Sequence, residues 1–279
     1  MDALNIVAVP GEATPELYRS LASEDFIQIT GRVEEFHDQL QIILDQFVRV
    51  SPEQVNYEEF LPVSPRDPLE MERELQEAVA SIGDPHIKAL LTRFLADGEL
   101  RKGLLRCPAG KTLHHAYVGG LLEHILSLVG AAKLICRNYP ALNADVLVAA
   151  AVLHDIGKVR ELSYARAFSY TDEGQLVGHI GIALLLVAEK AKEVPDFPNE
   201  VLLHLQHIIA SHHGLPEHGA MKLPMTAEAI AFHYLDNLDA KLAMVEGIKK
   251  ELALADASTD QDRRWTDFKQ ALGRRLFFP

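Results

Sequence analysis

The chain has 279 residues, of which 48% are hydrophobic and 24% charged, and this composition is typical of a soluble globular protein with one large domain or two smaller ones. The net charge of −13 argues against wide, non-specific binding to nucleic acid, but it does not exclude a polyanionic substrate at a metal-filled site, because bound cations reverse the local field. Since only two cysteines are present and neither a secretory signal nor an apolar run of about 18–20 residues is visible, we expect a cytoplasmic protein with reduced thiols.

The N-terminal part of the chain predicts a small β-structure. Residues 26–36 and 40–50 carry β-branched and aromatic side chains on either side of a turn at His37-Asp38, which favours a β-hairpin or the end of a small barrel. The prolines Pro62, Pro65 and Pro68 then form an extended stretch. We therefore expect a small β-containing segment over residues 1–60, a proline-rich linker over 61–72 and a helical domain over 73–279.

Beyond the prolines, the apolar periodicity predicts helices almost throughout. One helix opens at Asp67-Pro68 and runs to about residue 82, and others are expected at 85–97, 99–105, 112–139 and 143–156, the fourth of them broken or bent near Gly119-Gly120. After a loop or short hairpin at 168–176, further helices are expected at 178–194, 199–213, 226–254 and 260–272. The fold class is therefore mainly α, with a small N-terminal β segment.

A buried helix that ends in a histidine and a carboxylate is the most informative stretch. Residues 144–153 are apolar except for Asp145, and they are followed by His154, Asp155 and a glycine that can end the helix, Gly157. An ionised Asp at the end of a buried element costs several kcal/mol unless a positive charge lies beside it, and the preceding helix carries no Lys or Arg. A divalent cation would supply that charge, with His154 as a nitrogen ligand. The alternative is a capped core helix with a hydrogen-bonded histidine.

Other chemistry-bearing residues occur within or at the ends of apolar helices in the same region, which holds 11 of the 13 histidines. Each of them alone is more often a hydrogen-bonded core residue than a ligand. Together they form a set of nitrogen and carboxylate ligands without thiolate, which suits Mn, Fe, Co, Ni or Zn in an open coordination sphere. The set consists of His124, His154, Asp155, His179, His212, His213 and Asp236.

Five motifs in this region resemble a known family. They are LHHAYVGGLLEH (113–124), HDIGK (154–158), YTDEGQLVGH (170–179), SHHG (211–214) and HYLDNLDAK (233–241). The chain resembles the HD superfamily of metal-dependent phosphohydrolases and, more closely, the YhaM-type 3′–5′ exoribonucleases. This resemblance implies an HD-domain helical bundle, preceded by an OB-fold of which the N-terminal segment here is a shortened part.

The resemblance also implies the cofactors, the partners and the roles of the site residues. It implies two divalent metal ions, with manganese favoured, and single-stranded RNA or a nucleotide as the substrate; no membrane is implied, and a homo-oligomer stays open. One ion would be held by His124, His154, Asp155 and Asp236, and the other by Asp155, His179, His212 and His213. Asp155 and Lys158 are the expected catalytic residues, while His114, His115 and Lys158 would contact substrate. Asp239, one helical turn after Asp236, is the alternative ligand or an orienting partner.

Three other functions stay open at this point. The first is an HD-type nucleotidase or cyclic-nucleotide phosphodiesterase, because the N-terminal segment offers little for RNA binding beyond Arg32, Phe36, Phe47 and Arg49. The second is a di-iron oxygenase, since some HD-like proteins hold two irons. The third is a non-enzymatic HD scaffold, although every expected ligand position is filled.

Overall fold

The N-terminal part of the chain forms a small sheet. In the computed structural model, which describes residues 5–8, 25–36, 39–55, 61–111, 115–164, 168–255 and 264–279, the chain divides into two compact units between Leu61 and Pro62. The first unit contains a three-stranded sheet of order β1-β3-β2, made by β1 (Asn5–Ala8), β2 (Ile27–Phe36) and β3 (Gln39–Arg49). β2 and β3 pair antiparallel as the hairpin prediction requires, and β1 pairs parallel with β3. The predicted turn at His37-Asp38 lies outside the described residues, and the OB-like assignment stays a prediction.

The second unit is helical, and its described residues contain ten α-helices. They are α1 (Pro68–Ala80), α2 (Pro85–Ala96), α3 (Gly98–Arg106), α4 (Gly120–Asn138), α5 (Ala144–Leu153), α6 (Lys158–Glu161), α7 (Asp172–Leu176), α8 (Gly178–Lys192), α9 (Asn199–Ser211) and α10 (Ala227–Ala255). A two-stranded sheet of β4 (Leu162–Ser163) and β5 (Ser169–Tyr170) follows α6. Several helices begin at a polar side chain that accepts hydrogen bonds from the first turn, namely Asp67, Asp84, Asp97 and Asn143.

Helix α5 lies at the centre of the helical unit. Every residue from Val146 to Leu153 is buried, and the helix packs against α2, α4, α9 and α10. A helix that is apolar on all sides is stable only when neighbours surround it, so its C-terminal end, with His154 and Asp155, is necessarily buried too. The mainly α fold with an N-terminal β segment, predicted from the sequence, is confirmed.

Two sequence-based boundaries are wrong. In the helix expected at 112–139, the break near Gly119-Gly120 is present, since Gly119 adopts a left-handed conformation (φ 80°) and α4 begins at Gly120, but the residues from His115 to Gly119 before it are not helical. The helix expected at 260–272 is replaced, over the described residues from 264 onwards, by an extended arm in which Trp265 pairs with Phe277 and Lys269 with Arg274. Among the described residues, none of the helices combines the length and the apolar character that crossing a membrane requires.

Candidate metal centre

Five segments of the helical unit bring the chemistry-bearing residues to one place. His124 lies in the second turn of α4, His154 and Asp155 follow α5, and His179 is the second residue of α8. The pair His212-His213 directly follows α9, and Asp236 lies in α10. The side chains converge because α4, α9 and α10 all pack around α5. The motifs that lie far apart in the sequence therefore form one cluster.

One half of this cluster is the His124 group, which we define as His124, His154 and Asp236. The two Nε2 atoms of His124 and His154 lie 3.3 Å apart. Asp236 Oδ1 lies 3.2 Å from His124 Nε2 and 3.8 Å from His154 Nε2. Both histidines are completely buried. Three potential ligand atoms therefore face one another without solvent between the rings.

The other half is the His179 group, which we define as His179, His212 and His213. Asp155 lies between the two groups: its Oδ2 is 3.4 Å from His154 Nε2, and its Oδ1 is 3.5 Å from His179 Nε2 and 3.7 Å from His212 Nε2. Within the part of the chain that the structure describes, four buried side-chain atoms have no hydrogen-bond partner, and they belong to Asp155 and the His179 group: Asp155 Oδ1, His179 Nε2, His212 Nε2 and His213 Nδ1. Since buried polar atoms are almost always paired, such a concentration marks a site for a ligand.

The hydrogen bonds on the far side of the rings decide which nitrogens face the centre. His124 Nδ1 donates to Asp239 at 2.7 Å, and His179 Nδ1 donates to Glu161 at 3.0 Å. His154 and His212 use Nδ1 in the same way, towards the carbonyl oxygens of residues 151 and 209. For His179 and His212, a proton on Nδ1 leaves Nε2 with a lone pair that points into the cluster, and neither Nε2 has a hydrogen-bond partner. This side of the centre is thus lined by acceptors that a cation would satisfy.

Asp155 also has a protein cation beside it. Lys158 Nζ lies 2.6 Å from Asp155 Oδ2 and donates to the carbonyl oxygen of Ala109 at 2.5 Å, and the lysine is buried. The sequence argument that Asp155 lacks a neighbouring positive charge is therefore incomplete, because the lysine comes from the next helix and not from the preceding one. One oxygen of Asp155 is paired with Lys158, while the other remains directed at the His179 group.

The electrostatic environment differs between residues of the centre. Burial would raise the pKa of Asp155, but the Lys158 ammonium and the His154 imidazole hold it well below its usual range. Burial lowers the pKa of His212 well below its ordinary value and lowers that of His213 too, so both are neutral, as metal ligands must be. Burial opposes a charge on His124, yet the carboxylates of Asp236 and Asp239 outweigh it and raise its pKa to about 9.

Two glycines allow the segments of the centre to approach closely. A Cβ at Gly157 would lie 2.0 Å from the carbonyl oxygen of His179, so the turn after Asp155 can touch the start of α8 only without a side chain. A Cβ at Gly214 would lie 2.2 Å from the ring of His233, which hydrogen-bonds to the carbonyl of His212. Gly157 therefore serves close packing, and its helical φ of −62° shows that it does not terminate α5 by a left-handed turn.

The cluster opens into a cavity of about 390 Å³. Asp155, His212, His213 and Asp236 line it, which places one face of the centre in contact with solvent-accessible space. Its other polar lining residues are Lys158, His218, His233, Asn237 and Lys241. A cavity of this size accommodates a small ligand such as one nucleotide.

The residues fit divalent metal ions. Ligands about 2.1 Å from one ion lie roughly 3.0–3.5 Å from one another, close to the separations of 3.2–3.8 Å seen here. Two of the histidine and acid groups that could hold an ion are His179 with His212 and His213, and His124 with His154 and Asp155. A third, made of His115, His124 and Asp239, consists of residues that hydrogen-bond to one another. The unpartnered atoms therefore favour the first of these groups together with Asp155 Oδ1, which the second group shares.

Comparison with known proteins agrees with this geometry. Residues 121–241 match the HD domain family. The chain is 38% identical over 226 residues to the 3′-5′ exoribonuclease YhaM of Bacillus subtilis, a match that covers 81% of this chain and 71% of that protein. It is 37% identical over 234 residues to the protein of the same name from Shouchella clausii, with 84% and 72% covered.

The chain belongs to the YhaM family. The family predicted from the five sequence motifs is thereby confirmed, and no solved structure matches the chain. The HD-domain match contains the whole His124 group and the whole His179 group, together with Asp155. Membership in the YhaM family explains why these motifs recur in order along the chain.

The structure distinguishes two carboxylates of α10 between which the sequence left a choice. Asp236 faces the Nε2 atoms of the His124 group, whereas Asp239 accepts from His124 Nδ1, from His115 Nε2 at 3.2 Å and from the hydroxyl of Ser127. The geometry therefore favours Asp236 as the ligand and Asp239 as a residue that orients His124. This assignment stays a prediction.

Two of the three residues expected to contact substrate are described by the structure, and both are engaged by other groups of the protein. His114 lies outside the described residues. His115 has one ring nitrogen on Asp239 and the other 2.7 Å from the hydroxyl of Tyr117, so both are occupied within the protein. Lys158 lines the cavity, but its ammonium is held by Asp155 and Ala109. Neither side chain is free to bind a phosphate in this arrangement.

Sequence reasoning missed one residue of the centre. Glu161, in the short helix α6, accepts from both the backbone N–H and Nδ1 of His179, at 2.9 and 3.0 Å. The only sequence signal is its place four residues after Gly157, on a helix too short to show periodicity. His233, in contrast, lies in a motif that was recognised but was given no role.

Proposed function

We propose that this protein is a metal-dependent 3′–5′ exoribonuclease that removes nucleotides from the end of single-stranded RNA. The observation that carries the proposal is the set of buried, unpartnered ligand atoms around Asp155, in a chain that is 38% identical to YhaM. A non-enzymatic scaffold has no use for such a set, because each unsatisfied buried atom costs about 1–3 kcal/mol.

The assignment of ligands follows the two groups. His124, His154, Asp155 and Asp236 would hold one divalent ion, and Asp155 with the His179 group would hold another. The donors, imidazole nitrogens and carboxylate oxygens without thiolate, suit Mn, Fe, Co, Ni or Zn, and among these we favour manganese, as the resemblance to the YhaM-type exoribonucleases implies. When bound, such ions activate water for attack on phosphorus and neutralise charge on the phosphate oxygens.

The protein side chains then have orienting and binding roles. Lys158 keeps Asp155 ionised and fixes one of its oxygens, so that the other is directed at the His179 group. Asp239 and Glu161 fix the ring orientation of His124 and His179. Lys241 and Asn237 line the cavity and are placed to contact a phosphate. We retain Lys158 as a catalytic residue only in the sense that it positions Asp155.

The size of the cavity supports removal of terminal nucleotides. A volume of about 390 Å³ fits one nucleotide but not a folded or double-stranded segment. We also retain the predicted division into a β-containing segment over residues 1–60, a linker over 61–72 and a helical catalytic domain.

Hydrolysis of a defined oligoribonucleotide tests the proposal. With Mn²⁺ present, a 20-nucleotide RNA labelled at its 5′ end should shorten stepwise from its 3′ end and release mononucleotides. The control is the variant Asp155→Asn, which should be inactive at the same protein concentration. The exoribonuclease proposal is wrong if folded protein releases no mononucleotide from the RNA with Mn, Fe, Co, Ni or Zn but cleaves a cyclic dinucleotide or a nucleotide. Oxygen uptake by an iron-loaded sample would instead favour an oxygenase.

A further inference from the structure

The residues from 264 to 279 form a narrow antiparallel arm, which we call the C-terminal arm. Thr266 and Phe278 donate backbone hydrogen bonds to Leu276 and Arg264, and Lys269 donates to Arg274. The chain reverses at the short helical turn Gln270–Leu272 and at Gly273, whose φ of 63° requires a glycine-like conformation. The turn and the two strands therefore have a defined shape.

The turn of the C-terminal arm lies at the rim of the candidate metal centre. Ala271 lines the same cavity as Asp155 and Asp236. Leu272 is buried, and a second cavity between the arm and α10 is lined by Leu272 and Met244. The turn of the arm thus lies beside α10, the helix that carries Asp236.

The surface of the C-terminal arm carries exposed aromatic side chains. Trp265, Phe268 and Phe277 are 56%, 64% and 45% exposed. Trp265 and Phe277 pack on each other with ring centroids 5.0 Å apart, and the guanidinium of Arg275 lies 5.8 Å from the Trp265 ring. An arm that served only to close the fold would bury these rings, as it buries Leu272. Their exposure therefore requires another explanation.

The charge of the C-terminal arm is opposite to that of the whole chain. Within residues 264–279 there are four basic side chains and one acidic one, whereas the 279 residues together have a net charge of −13. The basic residues are Arg264, Lys269, Arg274 and Arg275. Exposed aromatic rings interleaved with basic groups are the chemistry that binds single-stranded nucleic acid, because bases stack on the rings and phosphates meet the charges.

The N-terminal sheet offers less of this chemistry. Arg49 forms an ion pair with Asp25 at 2.8 Å, and Arg32 lies 3.9 Å from Asp45, so acidic neighbours offset both guanidinium groups. Residues 25–36 and 39–49 of the sheet unit carry two basic side chains against four acidic ones, whereas the C-terminal arm carries four basic side chains against one acidic one. The contrast favours the arm as the surface that receives a polyanion.

We propose that the C-terminal arm binds single-stranded RNA and guides it towards the cavity. This inference rests on the proposed function and extends it to the nucleotides upstream of the reacting end. Five extended residues span roughly 15 Å, so Trp265 and Phe277 lie too far from the turn at Ala271 to contact the terminal nucleotide. The arm therefore acts on long substrates and not on dinucleotides.

Two variants test the proposal in the full-length protein. Phe268→Ser removes an exposed ring, and Arg274→Glu reverses an exposed charge; Tyr139→Ser and Arg73→Glu, at exposed positions of the helical unit, are the matched controls. Binding of a fluorescently labelled 20-nucleotide RNA is measured by anisotropy in the presence of chelator, and the KM for RNAs of 2 and 20 nucleotides is measured with Mn²⁺. Because the anisotropy measurement does not depend on hydrolysis, it reports on the arm even if the proposed activity fails.

We expect each arm variant to bind the 20-nucleotide RNA roughly tenfold more weakly and to raise its KM by a similar factor, since one stacked base contributes about this much. Hydrolysis of the dinucleotide should be unchanged, and Arg274→Glu should reduce the salt dependence of binding by about 0.7 in log–log slope. The proposal is wrong if the arm variants bind the 20-nucleotide RNA as tightly as the unaltered protein, or if the control variants lose as much affinity as the arm variants. It is also wrong if the KM for the dinucleotide rises as much as that for the 20-nucleotide RNA, or if the unaltered protein does not bind the RNA. A change in oligomeric state with unaltered RNA binding would instead assign the arm to a contact between copies of this chain.

Discussion

The His124 group and the His179 group contain similar side chains but differ in how far the protein itself satisfies them. In the His124 group, His124 donates to Asp239, its other nitrogen lies 3.2 Å from Asp236, and the two carboxylates raise its pKa to about 9. In the His179 group, by contrast, burial keeps His212 and His213 neutral, and three imidazole nitrogens have no partner. The first group is held together by its own hydrogen bonds, whereas the second keeps nitrogens that no protein group satisfies and that a cation would satisfy.

Asp155 lies between the two groups, and its two carboxylate oxygens differ as the groups do: one has partners within the protein and the other has none. Its Oδ2 is paired with Lys158 and faces His154, and its Oδ1 faces His179 and His212 without a hydrogen bond. We therefore expect the two parts of the centre to respond differently to mutation and to metal removal, even though their candidate ligands are of the same types.

The largest effect is expected from Asp155→Asn, because this change affects both groups at once. Loss of the shared charge should remove several kcal/mol of transition-state stabilisation, which corresponds to a roughly 10³-fold loss of activity. Bound manganese, measured by elemental analysis, should fall in the same variant. Retention of more than a tenth of the activity would show that Asp155 does not link the two groups.

The second prediction distinguishes the two groups by how a mutation in each changes the free energy of unfolding. In chelator, His124→Ala should lower the free energy of unfolding by about 1–3 kcal/mol, because it leaves buried carboxylates without their donor, whereas His213→Ala should change it little. Manganese at about 100-fold excess over its Kd should stabilise the unaltered protein by about 2.7 kcal/mol, and His213→Ala should lose much of this gain. Thermal unfolding with and without Mn²⁺ measures both effects. Equal behaviour of the two variants in chelator would remove the distinction between the groups.

The candidate ligand residues stand out in the sequence because each lies where an ionisable side chain is unusual. His124 and His154 interrupt or end apolar helices and are completely buried, which makes them informative, whereas Asp236 is only partly buried in α10. The order of the motifs then indicated the family. Sequence reasoning could also anticipate α5 as the central helix, since its apolar residues leave no side for solvent.

The remaining features depend on the approach of segments that the sequence does not reveal. Lys158 reaches Asp155 because a turn follows α5, and Glu161 reaches His179 because Gly157 allows α8 to come close. The C-terminal arm was mistaken for a helix because residues 264–272 mix apolar and polar side chains without strict alternation. Its actual form is set by the reversal at Gly273 and by pairing with residues that follow.

A smaller effect is expected from the two carboxylates that orient histidines in opposite halves of the centre. Glu161→Gln and Asp239→Asn should each weaken metal binding by about 10–100-fold, because the ring they hold loses its orientation and basicity. Activity should return at higher Mn²⁺ concentration, so the readout is the concentration that gives half-maximal rate. A loss of activity that no concentration of Mn²⁺ restores would mean that the two carboxylates do more than orient the rings.

The smallest effect is expected from Glu72→Gln, a matched carboxylate-to-amide change outside the cavity. Glu72 is largely buried in α1 and receives a hydrogen bond from Arg101 Nη2 at 2.8 Å, and this hydrogen bonding lowers its pKa from the usual 4.5. A carboxylate with a lowered pKa stabilises the fold above pH 4.5, and the contribution is lost as the pH falls through the lower value. The variant should therefore melt a few degrees below the unaltered protein at pH 7, and this difference should shrink on acidification, while activity and the response to Mn²⁺ stay the same. The carboxylate of Glu72 is paired with Arg101 within the protein, whereas Asp155 Oδ1 has no hydrogen-bond partner. We therefore expect Glu72 to contribute to the stability of the fold and not to metal binding. An effect of Glu72→Gln that depends on Mn²⁺ would contradict this distinction.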